Sequence, residues 1–129
     1  MPSLDDVRRI AMGLPEVVEA AKGHHGWAGW SVRKKSFAWE RPLGASDVTR
    51  LEDAGERVPQ GEIVAVRVAG VEAKPEALGV PGAFDIAHFA GFPAVLVELE
   101  AVAAEDLEDL VREAWRIQAP ARLVKELDS

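Results

Sequence analysis

The chain of 129 residues is long enough for one domain with a buried core, and we expect a single domain over residues 1–129. It contains no cysteine, which excludes disulfides, thiolate metal sites and cysteine nucleophiles. Its formal net charge of −7 disfavours a nucleic-acid partner recruited by long-range attraction.

The sequence lacks the features of secretion and membrane insertion. Its first residues read Met-Pro-Ser-Leu-Asp-Asp, without the basic start and apolar run of a signal peptide. No stretch approaches the roughly 18 uninterrupted apolar residues of a membrane span. We therefore expect a cytoplasmic protein with no membrane partner.

The acidic excess is concentrated in the middle of the chain. Residues 42–111 hold fourteen acidic and four basic side chains, whereas residues 1–41 hold five acidic and seven basic ones. A local basic surface near the N-terminus is therefore compatible with the overall charge. The simpler alternative is that these charges only solvate exposed faces.

The first predicted element is an amphipathic helix over residues 3–14, which begins at a capping pair and ends near Gly13. Residues 16–28 then read as a loop or a short strand. They include His24 and His25. Adjacent histidines in a strand point to opposite faces, so we expect no metal site here.

The clearest hairpin in the sequence runs from Gly29 to Arg41. A two-residue turn at Lys34 and Lys35 predicts that four large apolar side chains share one face, with Trp30 opposite Trp39 and Val32 opposite Phe37. Because Lys-Lys is not a favoured pair for a primed turn, a four-residue loop is the alternative. We expect that face to form core rather than a ligand site. The tip carries the most concentrated positive charge in the chain. It either keeps a sheet edge soluble or contacts phosphates.

The rest of the chain alternates helices and strands. The valine-rich strand 62–68 has apolar residues on both faces, which indicates a central position in a sheet. The strand 94–100 precedes a long amphipathic helix over 104–118. Weaker patterns predict helices at 45–54 and 72–78, a strand at 84–88 and one or two helical turns at 121–127. This order predicts an α+β fold: a two-layer sandwich in which one antiparallel sheet carries the N- and C-terminal helices on one face.

The stretch His88–Val97, His-Phe-Ala-Gly-Phe-Pro-Ala-Val-Leu-Val, precedes a helix ending in Ala-Trp and then Ala-Pro. With the hairpin Trp30–Pro42 and the strand Ile63–Val68, it resembles the MmcQ/YjbR family of small bacterial proteins over nearly the whole chain. The resemblance implies the same two-layer arrangement, similar to CyaY-like and secretion-chaperone-like folds. It also implies DNA binding through wing-like hairpins rather than through a recognition helix.

Carried onto this chain, the wing corresponds to the hairpin tip. The candidate DNA-binding residues are therefore Arg33, Lys34 and Lys35, with Arg41 extending the basic face. Contacts to phosphate alone give binding that is independent of base sequence and sensitive to salt. The resemblance thus implies non-specific binding to duplex DNA, and no cofactor is expected.

A second candidate site lies near the end of the predicted strand 84–88. Asp85 and His88 flank the strand end beside an apolar wall that includes Phe92, and we group Trp115 with them as a ligand pocket. A histidine in such a place can act as a general acid or base. The alternative is that His88 anchors the following turn by hydrogen bonding to the backbone. The sequence contains no Gly-x-Ser-x-Gly elbow, glycine-rich phosphate loop or His-Glu-x-x-His motif.

Three functions therefore remain, in order of preference. The first is a small non-enzymatic binding protein that contacts DNA through its hairpin. The second is a protein-binding or chaperone-like adaptor that uses an exposed sheet face or helix. The third is a small-ligand protein or an enzyme that uses Asp85 and His88.

Overall fold

The computed structural model describes residues 2–20 and 26–128 of the chain. It contains a six-stranded sheet in which all neighbouring strands are antiparallel, in the order β1-β2-β3-β4-β6-β5. The helices are α1 (Leu4–Met12), α2 (Ala45–Asp53), α3 (Lys74–Leu78), α4 (Ala104–Gln118) and α5 (Ala121–Asp128). The strands are β1 (Val17–Ala20), β2 (Gly29–Val32), β3 (Lys35–Glu40), β4 (Ile63–Arg67), β5 (Ala83–Phe84) and β6 (Ala94–Glu98). Short 3-10 helices cover Val71–Ala73 and Ala87–Phe89.

One face of the sheet is covered by the terminal helices, as the sequence predicts. Helix α4 packs across β2, β3 and β4, and α1 packs against α4. The largest side chains of this core, Trp30 and Trp115, are almost completely buried. Trp115 Nε1 donates a hydrogen bond to the carbonyl of Pro15 at 3.1 Å, so its polar edge is satisfied inside the core. The predicted α+β sandwich with one antiparallel sheet is confirmed.

The opposite face has a smaller apolar cluster. Ile63 and Ala65 of β4 meet Leu96 of β6 there, beneath Ile86 and Phe89. Valines of β4 lie in the main core on the other face, so β4 is apolar on both sides and lies between β3 and β6. The predicted central position of this strand is confirmed. This second face is covered over β4 and β6 and opens into a cleft over β2 and β3.

The predicted turn of the hairpin is wrong by one residue, and the predicted partner of Val32 is wrong by two. Val32 pairs with Lys35, so the two-residue turn is Arg33-Lys34 instead of Lys34-Lys35. Both turn residues have positive φ, 49° and 69°, as a type I′ turn requires. Asn and Gly are the usual residues of such a turn, so nothing in the local sequence indicates a turn at Arg33-Lys34.

A β-bulge in β3 then separates the aromatic side chains. Ser31 pairs with Ser36 and Trp30 pairs with Ala38, which leaves Phe37 as the extra residue. Phe37 packs in the main core with Trp30, whereas Trp39 packs with the cluster on the opposite face. The expectation that all four large side chains share one face is therefore wrong, because the extra residue reverses the alternation after it.

Three weaker predictions are refined. The stretch read as a loop or short strand contains β1, which pairs with β2 through Val17–Ala20. The predicted strand 84–88 is only the two-residue β5 followed by a 3-10 helix. The turns expected after the long helix form α5, Ala121–Asp128. Across the described ranges, none of the helices has the length and apolar character that crossing a bilayer requires.

A buried ammonium group fixes the segment before β6. Lys74, at the start of α3, is only 4% exposed. Its Nζ donates hydrogen bonds to the carbonyls of Phe89 at 2.8 Å and Phe92 at 2.9 Å, and lies 3.0 Å from Oδ2 of Asp85. These three partners match the three N–H donors of an ammonium group. Lys74 therefore holds residues 85–92 in one conformation against the sheet.

A second ion pair ties the loop after α2 to the sheet. Glu98 is 3% exposed at the end of β6. It accepts two hydrogen bonds from Arg57, both at 2.8 Å, and one from the amide of Gln60 at 2.9 Å. The Arg57 guanidinium lowers the pKa of the Glu98 carboxyl, and the Gln60 amide acts in the same direction.

Lys74→Met tests the ammonium clamp. The substitution keeps the length of the side chain but leaves two carbonyls and a partly buried carboxylate without their donor. We expect the free energy of unfolding, measured by urea denaturation, to fall by about 2–4 kcal/mol. The exposed Lys125 of α5 supplies the control, because Lys125→Met should change it by no more than about 0.5 kcal/mol. Equal effects of the two substitutions would contradict the clamp.

Glu98→Gln tests the second ion pair through its pH dependence. A carboxyl whose pKa is lowered by folding stabilises the protein above the ordinary glutamate pKa, and this contribution disappears as the pH falls through the lowered value. Wild type should therefore exceed the variant in stability at neutral pH, and the difference should shrink below about pH 4. Thermal unfolding across this range measures it, with the exposed Glu108→Gln as control. A difference that does not vary with pH would contradict the assignment.

Candidate functional site

The tip of the β2–β3 hairpin projects two cations from a strained turn. Arg33 is held in place because its Nε and Nη2 donate to the two carboxylate oxygens of Glu16, at 2.5 and 3.1 Å. This contact raises the pKa of Arg33 and lowers that of Glu16. Glu16, directly before β1, also has a positive φ of 56°. The guanidinium is therefore both anchored and partly neutralised.

The two lysines of the tip are placed differently from Arg33. Lys34 and Lys35 are exposed, and neither forms an ion pair with any residue in the described part of the chain. Lys34 also borders the cleft on the open face of the sheet. The hairpin tip and the cleft are thus adjacent parts of one surface.

The cleft has a volume of about 940 Å³ and lies on the sheet face away from α1 and α4. Strands β2 and β3 form its floor, and the segment held by Lys74 forms one wall. Its aromatic and basic lining residues are Trp27, Lys34, Trp39, Arg41, His88, Phe89 and Phe92, and the carboxylates of Glu40 and Asp47 also line it.

Three aromatic rings in the cleft contact one another. The ring centres of Phe89 and Phe92 are 5.5 Å apart in an edge-to-face arrangement. Trp39 lies 6.4 Å from Phe89 and 6.3 Å from Phe92. These separations are typical of favourable aromatic pairs. Phe92 is the most accessible of the three at 40% exposed, so the cluster presents an aromatic surface to solvent.

Arg41 lies within this aromatic site. Its side chain is only 13% exposed, and its Cζ is 5.8 Å from the centre of the Trp27 ring and 5.6 Å from that of Phe89. It donates hydrogen bonds to the carbonyl of Pro42 and to Asp47 Oδ2. Arg41 is thus a fixed cation in the cleft wall, separate from the charge at the hairpin tip.

A second guanidinium adjoins the cluster from β4. Arg67 has its Cζ 5.3 Å from the centre of the Phe92 ring. Its Nε is buried and has no hydrogen-bond partner among residues 2–20 and 26–128. Two guanidinium groups therefore contact the aromatic cluster, that of Arg41 at Phe89 and that of Arg67 at Phe92.

The structure brings together two of the four residues predicted to form a ligand pocket. His88 and Phe92 line the cleft. Asp85 borders a different depression beside α2, and its carboxylate is engaged by Lys74 and by the amide of Ile86. Trp115 lies in the core on the other face of the sheet. The Asp85–His88 pairing on which the catalytic alternative depends is therefore not assembled.

His88 also does not take the structural role considered for it. It is exposed, it contacts the Phe89 ring at 6.1 Å, and it has no hydrogen bond to any described residue. The backbone of the Phe89–Phe92 turn is held by Lys74 instead of by His88. Sequence reasoning missed Lys74 because a lone lysine in an acidic stretch ordinarily indicates a solvated surface.

No group of three or more potential metal ligands occurs in the ranges that the structure describes. The adjacent pair His24 and His25 lies outside those ranges. The cleft instead offers aromatic surface, the fixed guanidinium group of Arg41 and the exposed imidazole of His88.

Comparison with known proteins gives the following relationships. No protein-family model matches the chain. It is 45% identical over 127 residues to "Uncharacterized protein Rv2570" of Mycobacterium tuberculosis and to "Uncharacterized protein Mb2600" of Mycobacterium bovis, covering 97% of this chain and 95% of each relative. A crystal structure of a protein from Pseudomonas syringae matches with a TM-score of 0.65 and 12% identity, over 92% of this chain and 99% of that one.

The structural match supports the fold alone, because its sequence identity is low. The sequence match extends over almost the full length of both chains and includes the hairpin, the cleft and the long helix. The chain therefore belongs to the same family as the mycobacterial protein Rv2570.

Proposed function

We propose that this protein is a non-enzymatic, cytoplasmic nucleic-acid-binding protein of the MmcQ/YjbR type, which contacts phosphates through the tip of its β2–β3 hairpin. The observation that carries the proposal is the turn itself. Arg33 and Lys34 occupy both central positions of a type I′ turn, where Asn and Gly are favoured. A left-handed backbone conformation at a residue other than glycine is strained.

Strain of this kind is commonly found where function requires a particular side chain. Two cations at the strained positions are consistent with selection for charge at the tip. The anchor supplied by Glu16 orients the hairpin, and Lys34 and Lys35 extend from it as exposed ammonium groups. Ammonium groups bind phosphates as compact point charges and do not require a fixed approach angle.

The charges of the hairpin limit the expected affinity. Glu16 neutralises Arg33, and Asp47 neutralises Arg41, which leaves the two lysines as the main phosphate contacts of the four candidates. The net charge of −7 repels a polyanion at long range. Binding is therefore weak, non-specific and strongly dependent on salt.

The alternative of a protein-binding adaptor has less support. The large apolar side chains exposed in the described ranges are Met12, Val18, Val71 and Phe92, and they belong to four different segments. A docking surface for a protein usually has a contiguous apolar patch. Phe92 belongs to the cleft, which fits a smaller group better than the surface of a folded partner.

Lys34→Ala/Lys35→Ala tests the proposed phosphate contacts. Fluorescence anisotropy of a short labelled duplex, titrated at several salt concentrations, should show weaker binding by the double variant. If both lysines contact phosphate, the slope of log affinity against log salt should fall in magnitude by about 2.

The matched control removes two positive charges elsewhere. Arg9→Ala/Arg50→Ala gives the same net charge, and neither residue lies in the hairpin or borders the cleft. Equal loss of binding in the two double variants would show that only net charge matters. Absence of binding by wild type at low salt to both the duplex and its single strand would rule out the proposal.

Lys34→Gly separates the structural role of the tip from its function. Glycine relieves the strain at a φ of 69°, so the free energy of unfolding should rise by about 1 kcal/mol. Affinity for nucleic acid should fall because an ammonium group is lost. Urea denaturation and anisotropy measure the two effects. A gain in stability without loss of affinity would show that Lys34 is not a contact.

A further inference from the structure

We propose that the cleft beside the hairpin receives an unpaired nucleobase, so that the protein prefers single-stranded or locally unpaired nucleic acid to a duplex. This inference rests on the proposed function, because Lys34 supplies the adjoining phosphate contact. It assigns a role in binding to residues of the cleft that take no part in the phosphate contacts proposed for the hairpin tip.

The aromatic cluster carries the first part of the argument. Trp39, Phe89 and Phe92 form a contiguous group of rings at the open side of the sheet, and Phe92 exposes 40% of its surface. Proteins that bind single strands stack bases on aromatic side chains presented by a sheet. In a duplex the base faces are covered by neighbouring bases, so these rings have a suitable surface only in unpaired nucleic acid.

The position of Lys34 links the cleft to the phosphate-binding tip. Lys34 is a central residue of the turn and also borders the cleft. A phosphate held by Lys34 therefore places the attached nucleoside at the mouth of the cleft. Such an alternation of cationic and aromatic contacts is typical of sites that follow a single strand.

The remaining side chains of the cleft suit the edge of a base. Ser31 and His88 border the cleft, and within the described chain neither side chain has a hydrogen-bond partner. A hydroxyl and an imidazole can each donate or accept, so they can pair with the amino and carbonyl groups of several bases. The volume of about 940 Å³ falls within the range typical of sites for small organic groups.

The guanidinium groups give the site its polarity. Arg41 lies against Trp27 and Phe89, and Arg67 lies against Phe92. Since Arg41 is fixed by Asp47 and Pro42, it keeps this part of the cleft wall rigid before any ligand arrives. A preformed wall reduces the ordering that binding requires.

The experiment compares three labelled oligonucleotides of equal length by anisotropy: a single strand, its duplex, and a single strand of abasic sites. Wild type should bind the single strand about tenfold more tightly than the abasic strand, which keeps the phosphates but lacks the bases. Phe92→Ala should remove most of this difference and leave the affinity for the duplex unchanged. DNA and RNA versions of the single strand distinguish the two sources of unpaired bases.

Two further variants keep the test decisive. Phe92→Leu retains apolar volume but removes the ring, and it replaces Phe92→Ala if the latter lowers the thermal stability of the protein. The exposed Val71→Ala is the control for loss of apolar surface outside the cleft. Quenching of the intrinsic tryptophan fluorescence by the single strand supplies an independent readout of occupancy, because Trp27 and Trp39 both line the cleft.

The possible outcomes separate this inference from the proposed function. If both Phe92 variants bind the single strand as wild type does, or if they weaken duplex binding equally, the cleft is not a base site. Duplex binding that still depends on Lys34 and Lys35 would leave the proposed function intact. If wild type binds none of the three oligonucleotides, both proposals fail.

Discussion

The ammonium group of Lys74 is the interaction on which the open face of the sheet depends. It joins the start of α3 to two carbonyls and one carboxylate of the segment before β6. Hydrogen bonds to a charged donor are stronger than those between neutral groups, and burial makes their loss more damaging. Because the two carbonyls belong to Phe89 and Phe92, the clamp also fixes the backbone that carries both rings. The buried ammonium group of Lys74 thus positions the aromatic wall of the cleft.

The two faces of the sheet serve different purposes. The face under α1 and α4 is closed, and it contains the buried Trp30 and Trp115. The other face is closed only over β4 and β6, where the smaller apolar cluster lies. Because of the bulge at Phe37, the side chains of Phe37 and Trp39 lie on opposite faces of the sheet. Phe37 packs in the core and Trp39 lines the cleft. One extra residue in β3 therefore supplies an aromatic side chain to the candidate site.

Several cations in the described part of the chain have structural partners. Arg33 is paired with Glu16, Arg41 with Asp47 and Arg57 with Glu98. In an acidic chain such pairing leaves little positive charge for a polyanion, so the position of the remaining charge matters more than its amount. Lys34 lies where the strained turn meets the cleft. That placement explains how a protein of net charge −7 can present a small cationic surface beside an aromatic one.

The sequence by itself determined the fold class, the two terminal helices, the central position of β4 and the hairpin, because periods of 2 and 3.6 residues are local and report which face is buried. It also singled out His88, Phe92 and the basic tip. It did not determine the turn at Arg33-Lys34, the clamp by Lys74 or the separation of Asp85 and Trp115 from the cleft. These were decided by the tertiary structure, because each depends on partners distant in sequence: Trp115 donates to Pro15, and Lys74 bonds to Phe89, 15 residues away. A local pattern carries no information about which distant oxygen will meet a given donor.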